Sequence, residues 1–183
     1  MMRDLSMHIM DIVQNSVAAG AANINIEINE DKNKNLFSFS VADDGRGMTQ
    51  EFADSLRDPF VTSRETRRVG LGVPLLAQTC AQCGGRLSIE SSVGMGTALK
   101  AEMELNNIDL PPLGDVGECF FLLAVMNPGI TFVFIYNHNG KTLRIDMAEI
   151  AGILDGVPLD SPDVSAWLKE YIGEHIAEVA RDE

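Results

Sequence analysis

Basic residues are scarce in this chain. Fourteen Lys and Arg stand against 27 Asp and Glu, a formal net charge of −13. A chain this acidic repels nucleic acid and anionic membrane unless a local basic patch offsets the field, so neither is an expected partner. One small patch, Arg64, Arg67 and Arg68, reads either as a solvated loop or as a place for a small polyanion. Long apolar runs are missing as well: none reaches the roughly 18–20 residues that span a bilayer. The opening MMRDLSMHIM is broken by charge and no cleavage site follows, which speaks against a signal peptide. A cytoplasmic location is therefore expected. The three cysteines, Cys80, Cys83 and Cys119, are an odd number and fit reduced thiols better than a disulfide framework. Cys80-x-x-Cys83 has no second pair, so it reads as structural rather than as a zinc or redox motif. No repeat is visible. With 183 residues, there is room for one domain or a domain with an extension.

The periodicities divide the chain into elements. Asp4 or Ser6 can cap a helix through His8, Ile9, Ile12, Val13, Ser16 and Val17, ended by Gly20. Ile24, Ile26 and Ile28 alternate with polar residues as a half-buried strand; after the polar turn DKNKN, Leu36 to Val41 form a second strand. A short helix over 50–56 is expected. Pro74 suits the first turn of a helix that runs to Cys83 and is closed by Gly84 and Gly85. Leu87 and Ile89 mark a third strand and 97–105 a fourth. NNIDLPPLG is a linker. Beyond it, Asp115 and Glu118 have capping-box spacing before an apolar helix, and NHNG joins two strands over 131–136 and 141–145. Asp146 and Glu149 repeat the capping box. Ser161-Pro162 opens a last helix through Trp167, Leu168, Tyr171 and Ile172, a stripe that reads as core.

Four chemistry-bearing clusters fall along this frame. Asp11 and Asn15 share a helix face at i and i+4. The Asn carbonyl oxygen suits a hard Mg²⁺, and the carboxylate one turn away can orient water. Asp43-x-Gly45-x-Gly47 puts a carboxylate at a strand end, able to accept from an exocyclic amine such as that of adenine, beside glycines that let backbone approach a flat ring. Gly70-Leu71-Gly72 stands just before a helix, where free N–H groups and the dipole favour phosphate. Gly94-Met95-Gly96-Thr97 is a tight turn into a strand.

In this order the clusters resemble the ATP-binding domain shared by histidine kinases, DNA gyrase B subunits, MutL-type repair proteins and Hsp90-type chaperones. DIVQN resembles the N box, DDGRGM the first glycine box, DPFVTSR the F box, VGLGVPLL the second glycine box and GMGT the turn near the domain end. The resemblance covers about residues 5–105. It implies an α/β fold, a two-layer Bergerat-type sandwich with a mixed sheet, holding ATP and Mg²⁺. By position, Asn15 would hold Mg²⁺, Asp43 the adenine amine, and Gly45 and Gly47 would let backbone close on the base. Gly70, Leu71 and Gly72 would meet phosphates, Thr97 would sit near the base or its water, and Arg64 would lie in the lid. Asp11 occupies the general-base position, where hydrolysing members carry Glu. The segment from Phe60 to Gly70 is short for a lid.

The expected organisation is an ATP-binding domain over 1–105, a linker over 106–114 and a helix–hairpin–helix–helix extension over 115–183, a small α+β unit with a core of its own and a surface suited to docking or to a homodimer. Few residues precede the N box, so the phospho-acceptor is expected on a separate partner protein. His8, one turn before Asp11, is no acceptor by that pattern, and neither His138 in the hairpin tip nor His175 on the last helix has ligand-spaced partners. The expected function is a Mg-ATP-dependent kinase acting on or with that partner. Two alternatives stand beside it: an ATPase conformational switch, and a non-catalytic nucleotide-binding module.

Overall fold

A computed structural model describes residues 4–56 and 71–181. The DPFVTSR segment, Arg64, Arg67, Arg68 and Gly70 lie outside the described residues. The elements run α1 (Leu5–Ala18), β1 (Asn23–Asp31), β2 (Leu36–Asp43), α2 (Gln50–Ser55), α3 (Gly72–Gln82), β3 (Arg86–Ser92) and β4 (Gly96–Glu104). They continue as α4 (Val116–Met126), β5 (Thr131–His138), β6 (Lys141–Asp146), α5 (Met147–Leu154) and α6 (Pro162–Val179).

The strands form one six-stranded sheet in the order β3-β4-β2-β1-β5-β6. It is mixed: β1 pairs β5 in parallel, and every other pairing is antiparallel. Along β1, Ile24, Ile26 and Ile28 are buried while Asn23, Asn25 and Glu27 are exposed, so one face of the sheet meets the core and the other meets water. Helices α1, α3, α4 and α6 form the second layer, with α1 touching α3 and α4, and α6 packed on α4. The register lines up a single apolar rank across all six strands: Ile89, Leu99, Val41, Ile26, Phe134 and Ile145. Directly opposed side chains of this kind are the unit of sheet stabilisation.

Residues 115–181 continue this sheet. Phe132, Phe134 and Tyr136 of β5 stand opposite Ile24, Ile26 and Ile28 of β1, and Phe120 of α4 stacks on Phe134 with centroids 4.9 Å apart. The buried side chains of the N-terminal and C-terminal portions belong to one contiguous core. The linker is tied down, because Leu5 and Ser6 donate backbone N–H groups to the carbonyls of Pro112 and Leu113.

The caps follow the sequence signals. Asp4 accepts from the Met7 N–H, Asp115 from Glu118 and Asp146 from Ala148, each satisfying a donor the helix start leaves unpaired. Helix α3 begins two residues before Pro74, which therefore sits in the first turn, where a missing N–H leaves no intrahelical bond unmade. Asn139 and Gly140 both have positive φ, the conformation a two-residue type I′ hairpin requires. Cys80 and Cys83 are buried and free. Burial first, then the neighbouring Cys83, pushes the Cys80 thiol up to about 12, which leaves it an inert packing group. Among the described residues, no helix is long and apolar enough to cross a membrane.

Candidate functional site

At one end of the sheet the apolar rank gives way to polar side chains. Two residues along from Ile89, Leu99 and Val41, β3, β4 and β2 place Ser91, Thr97 and Asp43 in register. All three face the helix layer, because they stay in phase with Ile89, Leu99 and Val41. Above them α1 brings Ile12, Asn15 and Ser16, and a cavity of about 150 Å³ opens between the layers. Its wall continues through Arg46, Gly47 and Met48, Phe52 of α2 and Val73 of α3. Most of this lining is apolar and a few polar groups converge on it, which is how sites for flat organic ligands are built.

Asp43 is held from two sides. The Gly45 N–H donates to its Oδ1 at 2.9 Å, and the Ser16 hydroxyl donates to Oδ2 at 2.6 Å. A second network supports Thr97. The Ser91 hydroxyl lies 2.9 Å from Thr97 Oγ1, 2.9 Å from the Gly96 carbonyl and 2.9 Å from the Met48 N–H. Gln50 completes that corner: its Nε2 donates to the Ile89 carbonyl and its Oε1 accepts from the Ser91 N–H. The side chain takes the place of a neighbouring strand along the edge of β3 and ties α2 to the sheet.

The glycines around the site stand where backbone meets backbone. A Cβ on Gly47 would overlap the Ser92 carbonyl, and one on Gly96 would overlap the Asp43 carbonyl; both residues also have positive φ. The two glycine turns therefore interlock, and this fixes the end of β2 against the start of β4.

Asp11 and Gly72 meet across the helix layer. A Cβ on Gly72 would fall on the Asp11 carboxylate, so the start of α3 rests directly against that acid. Asp11 Oδ2 is buried and has no hydrogen-bond partner among the described residues. Helix α3 starts at Gly72 after Leu71 in the N-cap position, with no side-chain cap among the described residues, so its first N–H groups are left for a ligand or water. Of the residues singled out from sequence, Asn15, Asp43, Gly47 and Thr97 line the cavity, and Gly45 steadies Asp43. Asp11 and Gly72 meet at the α1–α3 contact and Leu71 precedes it as the exposed N-cap of α3, whereas Arg64 and Gly70 lie outside the described residues.

The structure adds residues the sequence reading left without a role. Ser16 and Ser91 are buried hydroxyls in the site. Ser91 carries a signal in the period-two run Leu87, Ile89, Ser91, and Ser16 in its place on the apolar stripe of α1. Asp44 has a structural part, accepting from the Ala22 and Asn23 N–H groups and from the Asn23 amide. Those bonds hold its carboxyl below the ordinary range, the Asn23 side chain foremost.

Residues 3–107 match the family described as "Histidine kinase-, DNA gyrase B-, and HSP90-like ATPase". The chain is 29% identical over 98 residues to sporulation kinase C of Bacillus subtilis, covering 54% of this chain and 23% of that protein. It is 34% identical over 94 residues to the sensor histidine kinase AruS of Pseudomonas aeruginosa, covering 46% and 9%. It thus spans less than a quarter of either relative. Two solved structures are among those that share the fold. The N-terminal domain of a DNA repair protein aligns with a TM-score of 0.55 at 17% identity, over 79% of this chain and 52% of that one. The Aquifex aeolicus MutL ATPase domain complexed with ADP aligns with a TM-score of 0.51 at 17% identity, over 85% and 70%. The likeness in fold therefore runs past residue 107 into the C-terminal strands and helices.

Proposed function

The chain belongs to the histidine kinase-, DNA gyrase B- and HSP90-like ATPase family, and from that premise we propose that it binds Mg-ATP in the cavity between α1, α3 and the sheet and acts as a kinase on, or together with, a separate protein. The observation that carries this reading is the polar rank at the end of an apolar floor, with Asp43 clamped in place and Thr97 beside it. A fixed carboxylate is an acceptor for the 6-amine of adenine. The Thr97 hydroxyl serves the neighbouring ring nitrogen directly or through water, and Gly45 and Gly47 keep the backbone low enough for a flat base.

The phosphates would lie toward the uncapped start of α3, at Leu71 and Gly72, with Gly70 and Arg64 assigned to the same end from the sequence pattern. Mg²⁺ suits this end of the site. Asn15 offers a hard oxygen to the cavity, and Asp11 brings an unpartnered buried oxygen one turn away. Mg²⁺ is commonly held by one or two protein oxygens plus substrate phosphates and water. When bound, it would offset the repulsion between the triphosphate and Asp11. Asp11 is assigned as the general base.

An acceptor on another protein fits the histidines. His8 and His138 are buried, and His175 is half-buried with Nδ1 2.7 Å from the Tyr171 carbonyl. The C-terminal extension is the assigned docking element, for a partner or for a second copy. Of the stripe read as core from the sequence, Leu168 is buried but Trp167 is exposed, and it stacks on Tyr171 beside exposed Glu170 and Glu174. A soluble cytoplasmic setting follows the same reading.

Calorimetry with Mg-ATP tests the binding, and Asp43→Asn is expected to abolish it or to weaken it at least about tenfold. A wild-type chain that binds no Mg-ATP, or a variant that binds as well as wild type, overturns the reading. γ-labelled ATP in a native extract then tests transfer, with label expected on another protein. The ATPase-switch alternative is favoured by the position of Asp11 against the start of α3. It requires slow hydrolysis that is lost in Asp11→Asn.

A further inference from the structure

The base-recognition carboxylate is oriented by a residue from a different layer. Ser16 is 4% exposed, and a buried hydroxyl is unfavourable unless it is bonded. Its acceptors are Asp43 Oδ2 at 2.6 Å and the Ile12 carbonyl at 3.5 Å. A hydroxyl has one proton, and the shorter bond to a charged oxygen takes it. Asp43 Oδ1 is occupied on the other side by the Gly45 N–H. Each carboxylate oxygen accepts about two bonds, so each keeps one free lone pair in a fixed direction. With Gly45 alone, the carboxylate could turn about its terminal torsion, which has only broad preferences.

We infer that Ser16 is a positioning residue that sets the selectivity of the site for a 6-amino purine, by aiming the free lone pair of Asp43 at the exocyclic amine. The inference rests on the nucleotide reading given above. Residues 15 and 16 stand about 100° apart on α1. One turn of helix thereby presents Asn15 to the phosphate–metal end and Ser16 to the base. The same helix is fastened again one turn later, where the Arg46 N–H donates to the Ala19 carbonyl at 3.0 Å. A shift of α1 at its phosphate end would therefore reach Asp43 through Ser16.

The test compares two nucleotides that differ only at position 6 of the ring: ATP, and purine riboside triphosphate, which lacks the amine. Affinities are measured by calorimetry for wild type and Ser16→Ala. Ser16→Ala is expected to weaken ATP about tenfold and purine riboside triphosphate less than about twofold, so that the preference for the amine collapses. Ser16→Cys, which keeps the volume and weakens the donor, is expected to fall between them and covers the case in which the alanine variant does not fold. Equal losses for both nucleotides would mean that Ser16 only supports packing, and an unchanged ATP affinity would mean that Asp43 needs no second anchor; either result overturns the inference. In both, wild type still binds ATP, which separates them from failure of the nucleotide reading, where it would not.

Discussion

His8 is a buried residue whose protonation opposes folding. It is 4% exposed, and its Nδ1 has no hydrogen-bond partner among the described residues. Burial holds the imidazole below its ordinary range, against the weaker pull of Asp11 and Asp4. The folded chain thus keeps His8 neutral where the unfolded chain, with a pKa of about 6.5, takes up a proton. Stability rises with pH wherever the unfolded state binds more protons. The His8 contribution is therefore complete above about pH 6.5 and is lost as the pH falls through that value toward the lowered one. Urea midpoints at pH 7.5 and pH 5.5 are expected to differ less in His8→Met than in wild type, and an equal difference in both would refute this. The glycines make a sharper contrast within one turn. Gly96→Ala must push against the Asp43 backbone at positive φ, whereas Gly94 has positive φ but open space around it. The first is expected to cost more than about 2 kcal/mol and the second about 1 kcal/mol, read from urea unfolding. Gly72→Ala meets only the movable end of Asp11. It should fold nearly as well as wild type while displacing the carboxylate assigned as base.

At the scale of elements, α4 decides whether the C-terminal residues matter to the nucleotide half. Phe120 is 1% exposed, stacks on Phe134 and meets Phe132 edge-on at 6.4 Å. Phe120→Ala is expected to cost roughly 3–5 kcal/mol, and fluorescence of Trp167 and nucleotide binding should be lost in the same denaturant transition. Two separate transitions would refute a shared core. Most elements were legible from local signals: the capping acids at Asp115 and Asp146, the Asn139-Gly140 turn, and the alternation in β1 and β4. The pairing of β5 with β1 was not. Ile24, Ile26 and Ile28 would read the same whether their strand lay at an edge or in the middle, and a parallel partner more than 100 residues away leaves no mark in the local pattern. The candidate site divides in the same way. The glycines and Asp43 show as motifs because backbone approach demands particular residue types; spacing marks Ser16 and Ser91 only as facing the core, and the partners that give them and Gln50 a role lie on other elements.

For the whole molecule, the order β3-β4-β2-β1-β5-β6 makes β1 an interior strand only when residues 131–138 are present. A chain ending at residue 114 would expose β1 as a long edge with alternating isoleucines, the kind of edge that pairs with other chains. That fragment is expected to aggregate on size-exclusion chromatography and to lose cooperative melting; a soluble, monomeric fragment with wild-type ATP affinity would refute this. The same arrangement has a consequence in time. Residue Ile24 waits for Phe132 to be made, and at about 5–20 residues per second the ribosome needs on the order of ten seconds to supply it. For the last part of that interval, once Thr97 has been made, the nascent chain carries every motif of the nucleotide site but shows an unpaired strand to its surroundings. Newborn copies are thus most exposed to chaperones, and to one another on a crowded polysome, in the seconds between finishing the pocket and closing the sheet beside it.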